Sequence, residues 1–256
     1  MFIGHFTERP YQDPKSGYFG ATGLPIKDLT VSNAIYDPVV GSDLYNRYLD
    51  EKVYAEEMGF DGLMLNEHHS TPFCMGGAMN VEASILARIT KKAKIVLLGN
   101  ILPIWDDPLW LVEQLAIIDM ISKGRLVAGW VRGTGRESVA HNAPPVYNWE
   151  RFQEAYDFII KALATALLNV PEANCAWGDD EMIFFGGVDI SVAIAVEGGL
   201  FTPVIKNANY LTLRDISAQM KDYVIRANAG KLLPNEYEGG NFSISNLGMY
   251  GIDNFS

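Results

Sequence analysis

Cysteine is scarce in this chain of 256 residues: Cys74 and Cys175 are the only two. Two cysteines cannot build a disulfide framework or a cysteine-rich zinc site, and they fit a reducing compartment. Basic residues are also few. Twenty lysines and arginines face 31 aspartates and glutamates, for a net charge of −11. Nucleic acids and anionic membranes attract basic surfaces, so neither is an expected partner. No apolar run is long enough to span a bilayer. The N-terminal MFIGHFTERPYQ lacks the basic-then-apolar order of a secretory leader. The sequence has no internal repeat and no low-complexity linker. The expectation is a cytoplasmic protein acting on a small-molecule substrate.

What is there alternates strand and helix over the first 160 residues. Phe2–Phe6, Asp61–Leu65, Lys94–Leu102 and Arg125–Val131 read as strands. Helical spacing covers Leu44–Met58, Val81–Thr90 and Pro108–Ile121, with Gly59 as a stop and Asn148 as a cap for a later helix. The polar, Gly/Pro-rich stretch Arg9–Ser42 is too long for a simple connection and reads as a functional loop. Strand–helix units in succession imply parallel strands with helical crossovers. Periodicity alone does not separate a doubly wound sheet from a barrel. The pattern then changes. Val188–Val196 and Leu200–Ile205 are separated only by Glu197-Gly198-Gly199, which suits an antiparallel hairpin and leaves no room for a crossover helix. An amphipathic helix over Thr212–Ala229 and a strand over Asn241–Ser245 complete an α+β segment, expected to form a sheet of its own.

Two groups of residues could carry chemistry. The first is Asn66, Glu67, His68 and His69, closing the second strand where parallel sheets place ligand groups. Adjacent strand residues point to opposite faces, so only one of the two histidines can aim into a central pocket. A histidine there suits a general base, with Glu67 to orient it. Arg132 ends the fourth strand before Gly133-Thr134-Gly135, and a cation beside a glycine turn suits a phosphate. The histidine spacing is poor for a metal site. The second group is Asn174 with Ser245 and Asn246, the last two in the run SISNLG.

The runs AEEMGFDGLMLNEHH, KIVLLGNILPIWDDPLWLVEQLAIIDMISKGRLVAGWVRG and NWERFQEAYDFIIKA resemble the luciferase-like monooxygenase family across residues 43–160. Members are β/α barrels that bind FMN, or in some branches a deazaflavin, and use reduced flavin, often with molecular oxygen. The resemblance implies that His68 lies by the flavin ring as the catalytic histidine, with Glu67 and His69 beside it. It implies that Asn100 lines the flavin face and that Arg132 reaches the phosphate. Asn66, Asn100, Arg132 and Gly133 are therefore the candidate cofactor-binding residues. Four of the barrel's eight units have no counterpart here, so residues 1–160 are expected to form half a TIM-type β/α barrel. Such a half leaves sheet edges and an inner face uncovered, and a second copy of the chain is the expected cover.

The runs DFIIKALATALLNVPEANCAW, VDISVAIAVEGGLFTPVIKNA and GKLLPNEYEGGNFSISNLGMYGIDNF resemble the catalytic domain of 2-oxo acid dehydrogenase acyltransferases, the dihydrolipoamide acyltransferases, across residues 157–256. That family has a chloramphenicol-acetyltransferase-like α+β fold, assembles as trimers and passes an acyl group between a lipoyl thiol and coenzyme A. The resemblance implies that Ser245 is the hydroxyl that stabilises the oxyanion. The family's basic histidine lies in an HxxxDG motif beyond the residues matched here, so acyl transfer by this stretch alone is not expected. The sequence thus reads as a chimera-like pair of segments, 1–160 and 161–256, joined in an apolar helix near Tyr156–Leu163. A flavin-dependent oxidoreductase is the first reading. The alternatives are an acyltransferase-derived binding or assembly module, with a CoA or lipoyl ligand, and an inactive chimera.

Overall fold

Residues 1–13, 15, 31–196 and 199–244 are described by a computed structural model. The chain divides into two units, Met1–Asn148 and Trp149–Ser256.

The first unit begins with β1 (Gly4–Phe6), α1 (Pro38–Glu57), β2 (Gly62–Leu65), α2 (Met79–Ile89), β3 (Lys94–Leu97) and β4 (Asn100–Ile101). It continues through α3 (Pro108–Ser122), β5 (Leu126–Val127), β6 (Trp130–Val131) and the short α4 (Gly135–Ala140). The main sheet runs β1-β2-β3-β5, all parallel and in chain order. β4 and β6 form a separate parallel pair. The third and fourth strands read from sequence are therefore each broken in two. Gly129 lies in one break, where a Cβ would meet the Leu97 carbonyl oxygen at 2.5 Å. The Leu98 N–H, in the other, donates to the Leu65 carbonyl.

One face of the sheet is buried: Leu63, Leu65, Ile95 and Leu97 are all almost fully covered. The register sets Phe6, Met64, Val96 and Val127 in line on the other face. Phe6 and Val127 there are exposed, and Met64 and Val96 are half-buried. The helices start where capping chemistry permits. Asp37 caps α1 by accepting from the Val39 and Val40 N–H groups, with Pro38 in the first turn. That start lies six residues before the expected Leu44. Asp107 and Pro108 open α3 in the same way, and Lys123 closes it in the left-handed region. On α2, Val81, Ile85 and Ile89 do share a face, but it points to solvent. The buried side is Met79, Ala83, Leu86 and Ala87.

The helix that joins the families is α5, Asn148–Asn169, continuous through the region of the join. Asn148 does not cap it. Its Oδ1 instead accepts from the Ser138 hydroxyl at 2.7 Å. The second unit continues with β7 (Cys175–Trp177), β8 (Met182–Phe184), β9 (Ile190–Val192), β10 (Ile194–Val196), β11 (Gly199–Phe201), β12 (Val204–Ile205), α6 (Leu213–Asn228) and β13 (Phe242–Ile244). β10 pairs antiparallel with β11 and β9 with β12, the hairpin expected from the short Glu-Gly-Gly link. β13 adds to β9 in parallel, giving the order β12-β9-β13. Val188, Ile190, Val192, Val204 and Ile205 form its apolar centre. Thr212 and Asp215 make a reciprocal cap at the start of α6. Among the described residues, no helix is long and apolar enough to cross a membrane.

Candidate functional site

β2 ends at Leu65, and the next four residues, Asn66–His69, leave the sheet at its carboxyl end. The two histidines then part, as alternation requires. His68 lines an open cavity of about 400 Å³ with Tyr36, Thr71, Cys74 and Met75. His69 lines a different cleft, of about 600 Å³, with Glu67, Met79, Trp105 and His141.

His68 is held from α4. Its Nδ1 donates to Glu137 Oε1 at 3.1 Å. The other oxygen, Oε2, accepts from the Thr134 N–H at 2.9 Å and from the Thr134 hydroxyl. Thr134 in turn accepts from Arg136 N, so Thr134 and Glu137 form a capping box. Glu137 is 1% exposed. Burial alone would raise its pKa, but the donors from His68 and Thr134 overcome it and hold the carboxyl at about 2. A fixed anion therefore sits on Nδ1. Nε2 is the free face of the ring, 3.9 Å from Glu8 Oε2.

His69 belongs to a second chain of groups. Its Nε2 donates to Glu67 Oε1 at 2.9 Å, and Glu67 Oε2 accepts from Met79 N. On the other side, His141 Nε2 donates to His69 Nδ1 at 3.0 Å, with the rings edge to face. Carboxylate, imidazole and imidazole thus stand in line. Burial and the neighbouring His69 lower the His141 pKa, so its neutral form is favoured. Arg136 fixes the turn itself, donating from Nε to the His69 carbonyl at 3.2 Å and to the Ser70 carbonyl.

Asn66 Nδ2 donates to Glu8 Oε2, and the Asn66 carbonyl accepts from Arg9 at 2.5 Å. Arg9 and Glu82 form an ion pair at 3.0 Å in which both side chains are fully buried. Asn100 is fully buried on β4, opposite Trp130 of β6. Its Nδ2 donates to the Gly129 carbonyl, and its Oδ1 has no partner. Arg132 is exposed just past β6. Gly133 follows with φ +70°, and a Cβ there would meet Ile101 Cγ2 at 2.5 Å, so this turn needs glycine. Among the described residues, no group of three or more His, Cys, Asp or Glu is placed to hold a metal ion.

In the second unit, Asn174 is buried, donating to the Phe185 and Gly187 carbonyls at 3.0 and 3.1 Å. It ties the two ends of a loop. Ser245 and Asn246 lie outside the described residues. The structure thus joins Glu67 to His69, and it places Asn100 on β4 and Arg132 just past β6, the strand that pairs with β4. Sequence reading gave no role to Glu8, Glu137, Arg136 or His141. The Thr134-x-x-Glu137 spacing was a readable cap signal. Nothing in the sequence tied that cap to His68.

The comparisons with known proteins fall on the same two segments. A family model for luciferase-like monooxygenases matches residues 32–176, and one for the catalytic domain of 2-oxoacid dehydrogenase acyltransferases matches 149–256. Both matches include α5. The acetyltransferase component of the pyruvate dehydrogenase complex of Rickettsia bellii is 54% identical over 100 residues, which are 39% of this chain and 24% of that protein. The chain thus spans about a quarter of the length of the curated relatives it matches. The oxygenating constituent of a diketocamphane monooxygenase from Pseudomonas putida, solved in complex with FMN, is 18% identical with a TM-score of 0.45 over 56% of this chain and 39% of that one. A monooxygenase from Streptomyces bottropensis is 21% identical with a TM-score of 0.47 over 72% of this chain and 46% of that one. By its match over residues 32–176 the chain belongs to the luciferase-like monooxygenase family, and it is chimera-like in carrying a second segment that matches the acyltransferase catalytic domain.

Proposed function

We propose that this protein is a flavin-dependent oxidoreductase of the luciferase-like class, working on a small organic molecule in the cytoplasm. The observation that carries this reading is His68, held at the carboxyl end of β2 by a buried, ionised Glu137 within the family-matched stretch. The bound flavin, FMN or a deazaflavin, would supply the electrons. The residues present fit such a group. The unpartnered Asn100 Oδ1 can accept a ring N–H, and Arg132 with the turn at Gly133 can take a phosphate. Asn66 holds Glu8 near the histidine.

Glu137 keeps the proton of neutral His68 on Nδ1, which leaves Nε2 as the base. Glu67 and His69 act behind it, in a second hydrogen-bonded line that fixes the same turn. The chain-order parallel sheet supports half of a β/α barrel, and the β9–β13 arrangement supports part of a chloramphenicol-acetyltransferase-like fold, divided near residue 160. The apolar residues left exposed on the sheet and on α2 support a homo-oligomer, a dimer on this reading.

The test is size-exclusion chromatography with FMN, following protein and flavin absorbance together. Flavin is expected to travel with the protein, and the His68→Ala variant is expected to keep flavin while losing turnover. A flavin-free peak would overturn the reading. The second reading, an acyltransferase-derived assembly module, is favoured by the match over residues 149–256. It expects a trimer that binds coenzyme A or a lipoyl group through the segment bearing Ser245, without acyl transfer.

A further inference from the structure

Three side chains of α4 and its cap grip the histidine turn, and one of those grips can be undone by acid. The turn needs holding, because Ser70 sits at φ +55°, in the left-handed region that disfavours a residue with a Cβ. Arg136 donates to the His69 and Ser70 carbonyls. Glu137 accepts from His68 Nδ1 at 3.1 Å. His141, the C-cap of α4, donates from Nε2 to His69 Nδ1 at 3.0 Å.

The three grips answer acid differently. A guanidinium keeps its proton throughout. Glu137 is held at about 2, so it is still an anion in mild acid, and a His68 that takes a second proton still has its Nδ1–H to donate. The contact between His69 and His141 is of another kind, because a hydrogen bond between two ring nitrogens holds one hydrogen. His69 Nε2 already gives its N–H to Glu67 Oε1 at 2.9 Å, which leaves Nδ1 as the accepting side. One proton added to the pair leaves a donor facing an acceptor. With both rings protonated, each facing nitrogen carries a hydrogen and neither can accept. Two positive rings would then stand with centroids 4.3 Å apart, and the contact must open.

The charged groups around the pair are Glu67 on the turn, Arg136 and Glu137 on α4, and Asp106 and Asp107 ahead of α3, which line the same cleft. From α2, the Met79 N–H is spent on Glu67. His141 is exposed, so protons from solvent reach it. Partial burial of its ring and the neighbouring His69 hold its pKa below the ordinary 6.5, against the pull of Glu67. The neutral, bonded form is therefore the one present at neutral pH, and its contribution is lost as pH falls below that value.

We infer that His69 and His141 form an acid-opened latch, which fastens the carboxyl end of α4 to the histidine turn at neutral pH and releases it when both rings are protonated. Because α4 also carries Glu137, release loosens the helix that holds His68.

The test is amide hydrogen exchange on the ¹⁵N-labelled full chain between about pH 7.5 and about pH 5, with each rate divided by its unstructured-chain value at the same pH. The reporters are the His141 and Ala143 N–H groups, which donate to the Glu137 and Ser138 carbonyls at the end of α4. Their protection should fall about three- to tenfold in acid, the loss of one hydrogen bond. The Thr90 N–H, bonded to the Leu86 carbonyl at the end of α2, should hold still. In His141→Gln the side-chain amide can both donate and accept, so protection should stay high across the range. In His141→Ala it should be low at both ends. A flat profile in the parent chain, a fall that persists in His141→Gln, or an equal fall at Thr90 would overturn the inference. No flavin and no turnover enter this experiment, so its outcome is separate from the flavin-binding test.

Discussion

At the scale of residues, the chemistry depends on carboxylates that sequence spacing does not connect to their histidines. Glu137 lies 69 positions from His68. Its carboxyl is held at about 2 against an ordinary 4.5, so its stabilising effect is complete above pH 4.5 and is lost as pH falls toward 2. Glu137→Gln is expected to cost about 3 kcal/mol of stability at pH 7. The gap from the parent chain should narrow between pH 4.5 and 3, measured by urea denaturation at each pH; a gap that stays constant with pH would contradict the assignment. Arg9 and Glu82 make a second long-range case. Both are fully buried, and removing one strands the other's charge. Glu82→Ala should therefore destabilise by about 3–5 kcal/mol, and a loss under about 1 kcal/mol in the same assay would show that water reaches Arg9. Neither partnership was legible in the sequence, because only the packed chain brings these positions together. The cap signal at Thr134-x-x-Glu137 was legible, and so was the glycine need at Gly133, as a turn after a strand.

At the scale of elements, sequence signals gave type better than extent. The apolar spacing of α2 was read correctly, but its Val81–Ile85–Ile89 stripe is not the buried side. Val81, Ile85 and Ile89 are left in water beside exposed Ile117 and Met120 on the neighbouring α3, and this is the face on which the proposed homo-oligomer would form. Ile85→Glu is expected to shift the protein toward monomer in analytical ultracentrifugation while leaving its circular dichroism unchanged. An unchanged sedimentation profile would remove this face from any oligomer contact. The strand breaks near Gly99 and Gly129 were not legible, since they follow from how closely neighbouring backbones approach. A Cβ at Gly99 would meet Val131 Cγ1 at 2.3 Å, a crowding that exists only once β4 and β6 pair.

At the scale of the whole molecule, two family matches overlap on one unbroken helix, α5. Each unit has its own apolar centre, around Leu63 and Ile95 in one and around Ile190 and Val204 in the other. Two cores predict two unfolding transitions in differential scanning calorimetry. Leu63→Ala should lower the first unit's transition and Ile190→Ala the second unit's, each cavity costing about 2–5 kcal/mol. A single transition moved equally by both variants would mean that the cores unfold as one.

The sequence by itself determined the two family resemblances, the parallel strand–helix order, the hairpin forced by three residues between strands, and the region of the join. These are local: period, turn length and motif need no distant partner. The tertiary structure decided which carboxylate holds which histidine, and that His68 and His69 open into different cavities. It also decided which helix face is left to solvent. These depend on contacts between residues tens of positions apart, and such contacts exist only when the strands have found their register.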